Sequence, residues 1–416
     1  MVDQRRIDDQ RWVDARAAAK FLGIQVRSLY AYVSRGQVRS VPGTAGRPRL
    51  YSHEDLQRLR TRRDARAGHG AVAASALRWG EPVLDSAITA ITPRGPIYRG
   101  RAAVDLAAAG APFENVAELL WSGYWPEPGG PRAPWPRPVV PLAQLSRLIS
   151  DGARPLEVMP LLVQVAALAD PDRGDPRPDA IVARGRRLVA LLAAGLAPGL
   201  GAAAFTRALG AGSIAEIAAR ALGLADDAPP LIERVLVLLA DHELNASSFA
   251  ARIAASTDAD PYACVAAALA VVSGRRHGTA PEEIARFADE IGGPEGARAA
   301  VRALRRRGLL PPEFGHPLYP EGDPRATPLL EAARGAGARR TRTLLAIVDA
   351  TPDAKPTVDV GLAAVVAALG APPAAASGLF AVARAAGWIA HVLEQRAAGF
   401  LLRPRARYTG VPVTDA

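Results

Sequence analysis

The chain has 416 residues, 49% of them apolar and 22% charged, with a formal net charge of +10 at pH 7. Those values describe a folded chain long enough for two or three domains and exclude a disordered or collagen-like polymer. The single cysteine, Cys264, excludes an intrachain disulfide, and its apolar setting in PYACVAAALAVV predicts a buried, inert thiol, as fits a reducing cytoplasm.

The opening stretch MVDQRRIDDQRW has no apolar core and does not read as a signal peptide. Residues 1–70 carry 15 Lys+Arg against 7 Asp+Glu, so most of the positive charge is segregated there. Only Lys20 and Lys355 are lysine, so the segregation of arginine is informative and its abundance is not. Helices are predicted over 15–22, stopped by Gly23, and over 26–35, stopped by Gly36, which is helix-turn-helix spacing. VRSVPGTAGRPRLY then reads as a two-stranded wing, and Ser52 with Asp55 has capping-box spacing for a third helix. Arg27, Tyr30 and Arg35 on the second helix and Arg47 and Arg49 on the wing form a basic face suited to a major groove and its phosphates. Residues 12–66 resemble a MerR-type or excisionase-type winged helix, which implies DNA as a partner. The alternative is a solvated charged appendage or an assembly tail. Gly68 and Gly70 mark a linker, so the first domain is placed at 1–70, and His53 and His69 are given no role.

From about residue 74, alanine- and leucine-rich segments alternate with Pro/Gly breaks, predicting a mainly α architecture. SAITAITPRGPIYRG is the exception, a small hairpin around Pro93 and Gly95. LVALLAAGLAPGLGAAAF comes nearest to a membrane span, but Pro198 and three glycines make it two core helices broken by a turn. No phosphate-binding glycine loop and no paired metal-binding cysteines occur, so neither a metal nor a bound cofactor is expected.

Isolated polar residues in apolar context carry the chemistry. His316 lies in LLPPEFGHPLYPEGDPRATPLL, where Gly315, Pro317, Pro320, Gly322 and Pro324 preclude a helix and stiffen the loop. Asp359 is the only charge between Lys355 and Arg384; it reads either as a poorly solvated base or as the N-cap of a helix beginning at Gly361. Arg384, alone in LFAVARAAGWIA, must find an anion, structural or substrate-borne. His277 precedes a helix that Thr279 and Glu282 would cap, a place where an imidazole stays neutral and can donate to a developing oxyanion. Two histidines, one desolvated carboxylate and spare arginines suit removal of a proton beside a thioester and addition of the enol to a keto acid.

These motifs occur as a set: YRG at 98–100, LLWSGYWP at 119–126, DHELNASSFAARIAAST at 241–257, SGRRHG, FGHPLYPEGDPRA, TVDVGLA, ARAAGWIAH and RPRARYTG. Together they resemble the citrate synthase family, citrate and 2-methylcitrate synthases included. The resemblance implies a large helical domain (74–278 and 367–416) and a small one (279–366), preceded by the small winged domain. It implies acetyl-CoA or propionyl-CoA as acyl substrate and oxaloacetate as acceptor. It assigns His277 to the thioester carbonyl, His316 to the ketone, Asp359 as base, and His242, Arg325, Arg384 and Arg403 to the carboxylates. Arg403 would complete a neighbouring subunit's site in a homodimer. The chain departs from the family pattern GPLHGGANE at GRRHGTAPE, where Arg275, Arg276, Thr279 and Pro281 stand. His391 reads as a helix-packing residue. A DNA-binding regulator whose synthase-like region senses metabolites is the alternative.

Overall fold

The computed structural model describes residues 12–22, 24–34, 37–42, 49–52, 55–56, 59, 84–125, 135–138, 140, 149–150, 152–196, 201–404, 406 and 410. The chain divides into two compact units, the first ending at Asp85 and the second beginning at Ser86. The expected domain limits at 70 and 74 fall outside the described residues.

In the first unit β1 (Trp12–Asp14) leads into α1 (Ala15–Leu22), α2 (Val26–Ser34), β2 (Ser40–Val41) and β3 (Leu50–Ser52). Asp14 Oδ1 accepts the Ala17 N–H at 2.8 Å and so caps α1. Both other strands pair antiparallel with β3, giving the order β1-β3-β2. Ala18, Leu22, Leu29, Val38, Tyr51 and Leu56 close a small core. Asp55 receives two side-chain bonds from Arg39, at 2.7 and 3.0 Å, while its N–H reaches Ser52 Oγ at 3.3 Å.

The second unit opens with β4 (Thr89–Thr92) and β5 (Gly95–Tyr98), a hairpin turning through Pro93 and Arg94, with β6 (Arg101–Ala102) beside it. Helices follow: α3 (Ala103–Ala108), α4 (Phe113–Ser122), α5 (Pro155–Leu168), α6 (Pro178–Ala194), α7 (Ala202–Leu209), α8 (Ile214–Ala221), α9 (Pro229–Leu239), α10 (Ala246–Ser256) and α11 (Pro261–Val272). Then come α12 (Ala280–Ile291), α13 (Pro294–Arg306), α14 (Ala326–Ala333), α15 (Arg339–Asp349), α16 (Val358–Ala368) and α17 (Ala374–Ala398). Among the described residues the 188–205 segment does split into two helices, α6 and α7. Cys264 is buried, and burial pushes its thiol up to about 12.

The unit is organised around α17, which starts after two prolines and ends at Gly399 in the left-handed conformation. Almost every residue of α17 is buried, and α6, α9, α10 and α11 pack on it. Such a helix is apolar all round because it is core on every side. It is the one described helix long and apolar enough to cross a membrane, yet it lies inside the unit and carries Arg384 and His391. A second group, α12 to α16, packs largely on itself, with α14 against α16 and α13 against α15.

Two close approaches set the site. A Cβ on Gly387 would lie 2.2 Å from Asp241 Oδ1 and 2.7 Å from Ala240 O, so α17 touches the chain just before His242. A Cβ on Gly361 would lie 3.1 Å from Ala326 O, so α16 touches α14 beside Arg325. Because the Gly387 contact is with backbone, Gly387→Ala should lower stability by about 1–3 kcal/mol in denaturant unfolding. An unchanged midpoint would mean that α17 can withdraw from Asp241.

Candidate active site

The Gly-Pro loop is as stiff as its composition predicts. Gly315 sits at φ 86°, its N–H donates to Lys355 O at 2.8 Å, and the Tyr319 N–H turns back to His316 O at 3.0 Å. The Leu318 N–H donates to His316 Nδ1 at 3.1 Å, so the neutral ring carries its proton on Nε2. Tyr319 Oη lies 2.8 Å from His242 Nε2, and the rings of His242 and His316 meet edge to face at 5.7 Å. Burial, then the Arg325 charge, holds both imidazoles below their usual range, His242 strongly so.

Arg325 is fully buried against Asp323, which takes Nε at 3.0 Å and Nη2 at 2.8 Å. Asp323 Oδ2 also accepts the Val358 N–H at 3.0 Å, at the start of α16. Arg325 Nη1 donates to no described acceptor. Burial opposes the guanidinium's charge, but Asp323 outweighs it, so Arg325 stays firmly protonated and Asp323 ionised. Arg384 donates Nε to Leu239 O at 2.9 Å and stacks over Phe380, while neither of its Nη atoms reaches a described acceptor. Burial brings Arg384 down to about 10, which leaves it charged at neutral pH.

Asp359 lies in the first turn of α16. Thr357 is the N-cap, its Oγ1 accepting the Asp359 N–H at 3.3 Å and lying 3.2 Å from Oδ2. The N-cap reading of Asp359 is therefore corrected, since the cap lies two residues earlier and leaves the carboxylate a single described side-chain partner. Burial pushes Asp359 up to about 6, against the pull of Arg325. A poorly solvated carboxylate of that strength is ionised at neutral pH and a better base than an exposed aspartate.

His277 is held from behind by a tight turn. The His277 N–H reaches Gly274 O at 3.0 Å, the Gly278 N–H reaches Val272 O at 2.9 Å, and a Cβ on Gly278 would lie 2.6 Å from that same oxygen. Ser247 Oγ lies 2.8 Å from His277 Nε2 and accepts the Trp388 indole N–H at 3.0 Å. Asn245 Oδ1, which accepts the N–H groups of Ser247 and Ser248, also lies 2.8 Å from Ser247 Oγ and competes with His277 Nε2 for the serine proton. Burial, then Arg384, lowers His277 to about 4, so the ring is neutral at pH 7.

The expected capping box at 279–282 is absent. Thr279 makes no side-chain cap bond, and Glu282 turns instead to Ser377 and, at 3.7 Å, to Arg154. Pro281 occupies the first turn of α12, where no N–H is needed. Arg275 and Arg276 are exposed, Arg275 lying 3.6 Å from Glu283. His391 is buried in α17, 3.4 Å from Asp241, the residue before His242. Arg403 is exposed and contacts none of these groups. In the first unit Arg27, Tyr30 and Arg49 are exposed, while Arg35 and Arg47 lie outside the described residues. Asp323, Tyr319, Ser247 and Asp241 were missed from sequence. Their only signal was proximity to assigned residues in DPR, GHPLY, ELNASS and DHE.

A family model described as citrate synthase, C-terminal domain, matches residues 76–405. A 2-methylcitrate synthase of Mycobacterium tuberculosis is 30% identical over 362 residues, covering 80% of this chain and 89% of that protein. The citrate synthase of Pyrobaculum aerophilum aligns with a TM-score of 0.67 at 26% identity, over 80% of this chain and 92% of that one. A ternary complex of carboxymethyl coenzyme A and oxaloacetate with the citrate synthase of Thermoplasma acidophilum aligns at 0.65 and 22% identity, over 80% and 96%. The family match runs through the whole cluster around Asp323 and Asp359, and the chain belongs to the citrate synthase family.

Proposed function

We propose that the chain, an acyltransferase of the citrate synthase type, condenses acetyl-CoA or propionyl-CoA with oxaloacetate to give citrate or 2-methylcitrate and free CoA. The observation that carries this reading is the pairing of a desolvated carboxylate, Asp359, with neutral imidazoles beside two guanidiniums, Arg325 with Nη1 and Arg384 with both Nη groups reaching no described acceptor. Oxaloacetate is a dicarboxylate, and Arg325, Arg384 and His242 supply charge and donors for it. His316 Nε2–H faces the ketone oxygen. Asp359 takes a proton from the carbon beside the thioester, the C–H electron pair becomes the carbon–carbon double bond of the enolate as the carbonyl π pair moves to oxygen, and a ring N–H of His277 holds the enolate oxygen. The enolate carbon then bonds to the ketone carbon as the ketone π pair moves to its oxygen, which takes the proton from His316; Asp359 releases its proton to solvent and His316 regains one. Water cleaves the resulting thioester and releases the CoA thiol. The Thermoplasma acidophilum complex with oxaloacetate and a CoA analogue supports the pairing of substrates. Arg403, exposed and unpaired among the described residues, is assigned to the neighbouring site of a homodimer.

Because Asp359 acts on the acyl partner alone, Asp359→Ala should lower kcat by about 10²–10⁴-fold while leaving oxaloacetate binding within about twofold by calorimetry. Parallel loss of binding and turnover would remove Asp359 from the role of base.

A second reading concerns the N-terminal unit alone and rests on its helix pair followed by two paired strands, with Arg27, Tyr30 and Arg49 exposed. That arrangement supports a winged helix-turn-helix that binds DNA. Full-length protein should bind a subset of genomic fragments above competitor DNA, with affinity falling steeply as salt rises and weakening in Arg27→Ala. Binding with no sequence preference would defeat this reading.

A further inference from the structure

His242 sits in the connection between α9 and α10, where its backbone is fixed from behind. The Glu243 N–H donates to Asp241 Oδ2 at 3.1 Å, Glu243 stands at φ 54°, and Gly387 lets α17 touch Asp241. Those contacts set where the imidazole starts but not which way its nitrogens face. The outer torsion of a histidine has two broad wells, which exchange ring nitrogens with ring carbons. Among the described residues one group alone hydrogen-bonds to a ring nitrogen of His242, namely Tyr319 Oη, 2.8 Å from Nε2.

Tyr319 is itself tightly held by the turn that begins at His316. Its N–H donates to His316 O at 3.0 Å, its carbonyl accepts the Gly322 N–H at 3.0 Å, and its ring lies 5.1 Å from the His316 ring. The Arg325 guanidinium carbon stands 5.6 Å from the same ring, within reach of the attraction between a cation and an aromatic face. With 3% of its surface exposed, Tyr319 is buried, and a buried phenol O–H needs an acceptor. The one described hydrogen-bond partner of Oη is His242 Nε2. When the phenol donates, both groups are satisfied; were the imidazole to donate instead, the phenol proton would have no described acceptor. Burial pushes Tyr319 up to about 12 and holds His242 well below its usual range, so both partners are neutral at pH 7.

We propose that Tyr319 is a positioning residue for oxaloacetate: its hydroxyl donates to His242 Nε2 and holds the ring in one orientation, with the ring proton on Nδ1 as the donor offered to the keto acid. The proposal rests on the assignment of His242 to oxaloacetate. A neutral imidazole has one donor and one acceptor, so engaging the acceptor commits the other nitrogen to donate. A donor is what the carboxylate oxygens of the acid require. The tie also joins the two helical groups, since Tyr319 precedes α14 and His242 precedes α10. The turn that fixes His316 thereby fixes His242 as well. Tyr319 touches no reacting atom in this account.

The test is Tyr319→Phe in the full-length protein, which removes the hydroxyl and keeps the ring against His316 and Arg325. KM for oxaloacetate should rise about three- to tenfold, the scale of one neutral hydrogen bond, while KM for the thioester stays within about twofold. In a His242→Asn background the same change should weaken oxaloacetate binding by less than about twofold, since Tyr319 acts through His242. An unchanged oxaloacetate KM, or an equal loss in both backgrounds, would overturn the proposal. Nitrogen NMR of isotope-labelled histidine, with the His242 signals identified by their loss in His242→Asn, should place the proton on Nδ1 in the native protein. Tyr319→Phe should then show a mixture of tautomers. A native proton on Nε2, or a tautomer that Tyr319→Phe leaves unchanged while stability falls, would mark a merely structural tyrosine and refute the proposal. The spectra need neither turnover nor oxaloacetate, so an inactive protein that gives them would keep the pairing of Tyr319 with His242 and lose the condensation.

Discussion

Asp323 is the group on which the site depends. One buried carboxylate accepts two bonds from the Arg325 guanidinium, one from the Arg325 N–H and one from the first turn of α16, so a single side chain fixes a guanidinium and the helix that bears Asp359. A buried ion pair adds little stability over an apolar pair of similar shape, but losing one partner leaves an uncompensated charge and costs about 3–5 kcal/mol. Its worth here lies in geometry. The Arg325 fork is held so that Nη1 is turned away from Asp323, and Asp359 is set on the next element.

Around that anchor the electrostatics divide. Arg325 and Arg384 make one side cationic, and that charge with burial keeps His242, His277 and His316 neutral. Asp359 and Glu313 are acidic, and burial raises both carboxyls. A cationic half suits a dicarboxylate, and a carboxylate of raised basicity suits proton removal from an uncharged carbon. Neutral imidazoles between the two can donate hydrogen bonds without competing for the base's proton. Each group's protonation follows from its neighbours, and the neighbours come from distant parts of the chain.

That distance explains what the sequence could show. The stiffness around His316 was legible because glycine and proline act locally, and the isolation of Asp359 and Arg384 was legible because a lone charge in an apolar run needs a reason. The helical segments and the β4–β5 hairpin were legible from periodicity and turn chemistry. The choice between base and cap for Asp359 stayed open in the sequence because Thr357 and Asp359 are both capping types and only the backbone chooses between them. The box at Thr279 failed because Glu282 has partners in other elements, Ser377 and Arg154. Ser247 behind His277 and Tyr319 beside His242 join positions 30 and 77 residues apart, contacts that no local pattern reveals. Asp323 in GDPR reads as an ordinary turn aspartate until α16 is brought to it.

The most direct measurement is CoA thiol release by the purified native protein, with acetyl-CoA or propionyl-CoA in the presence and absence of oxaloacetate. Cys264 can add at most one thiol per chain, so sustained release is unambiguous. The account predicts multiple turnovers that require oxaloacetate, with the preferred thioester revealed by the faster rate. No oxaloacetate-dependent release with either thioester, from folded protein that binds oxaloacetate, would contradict it.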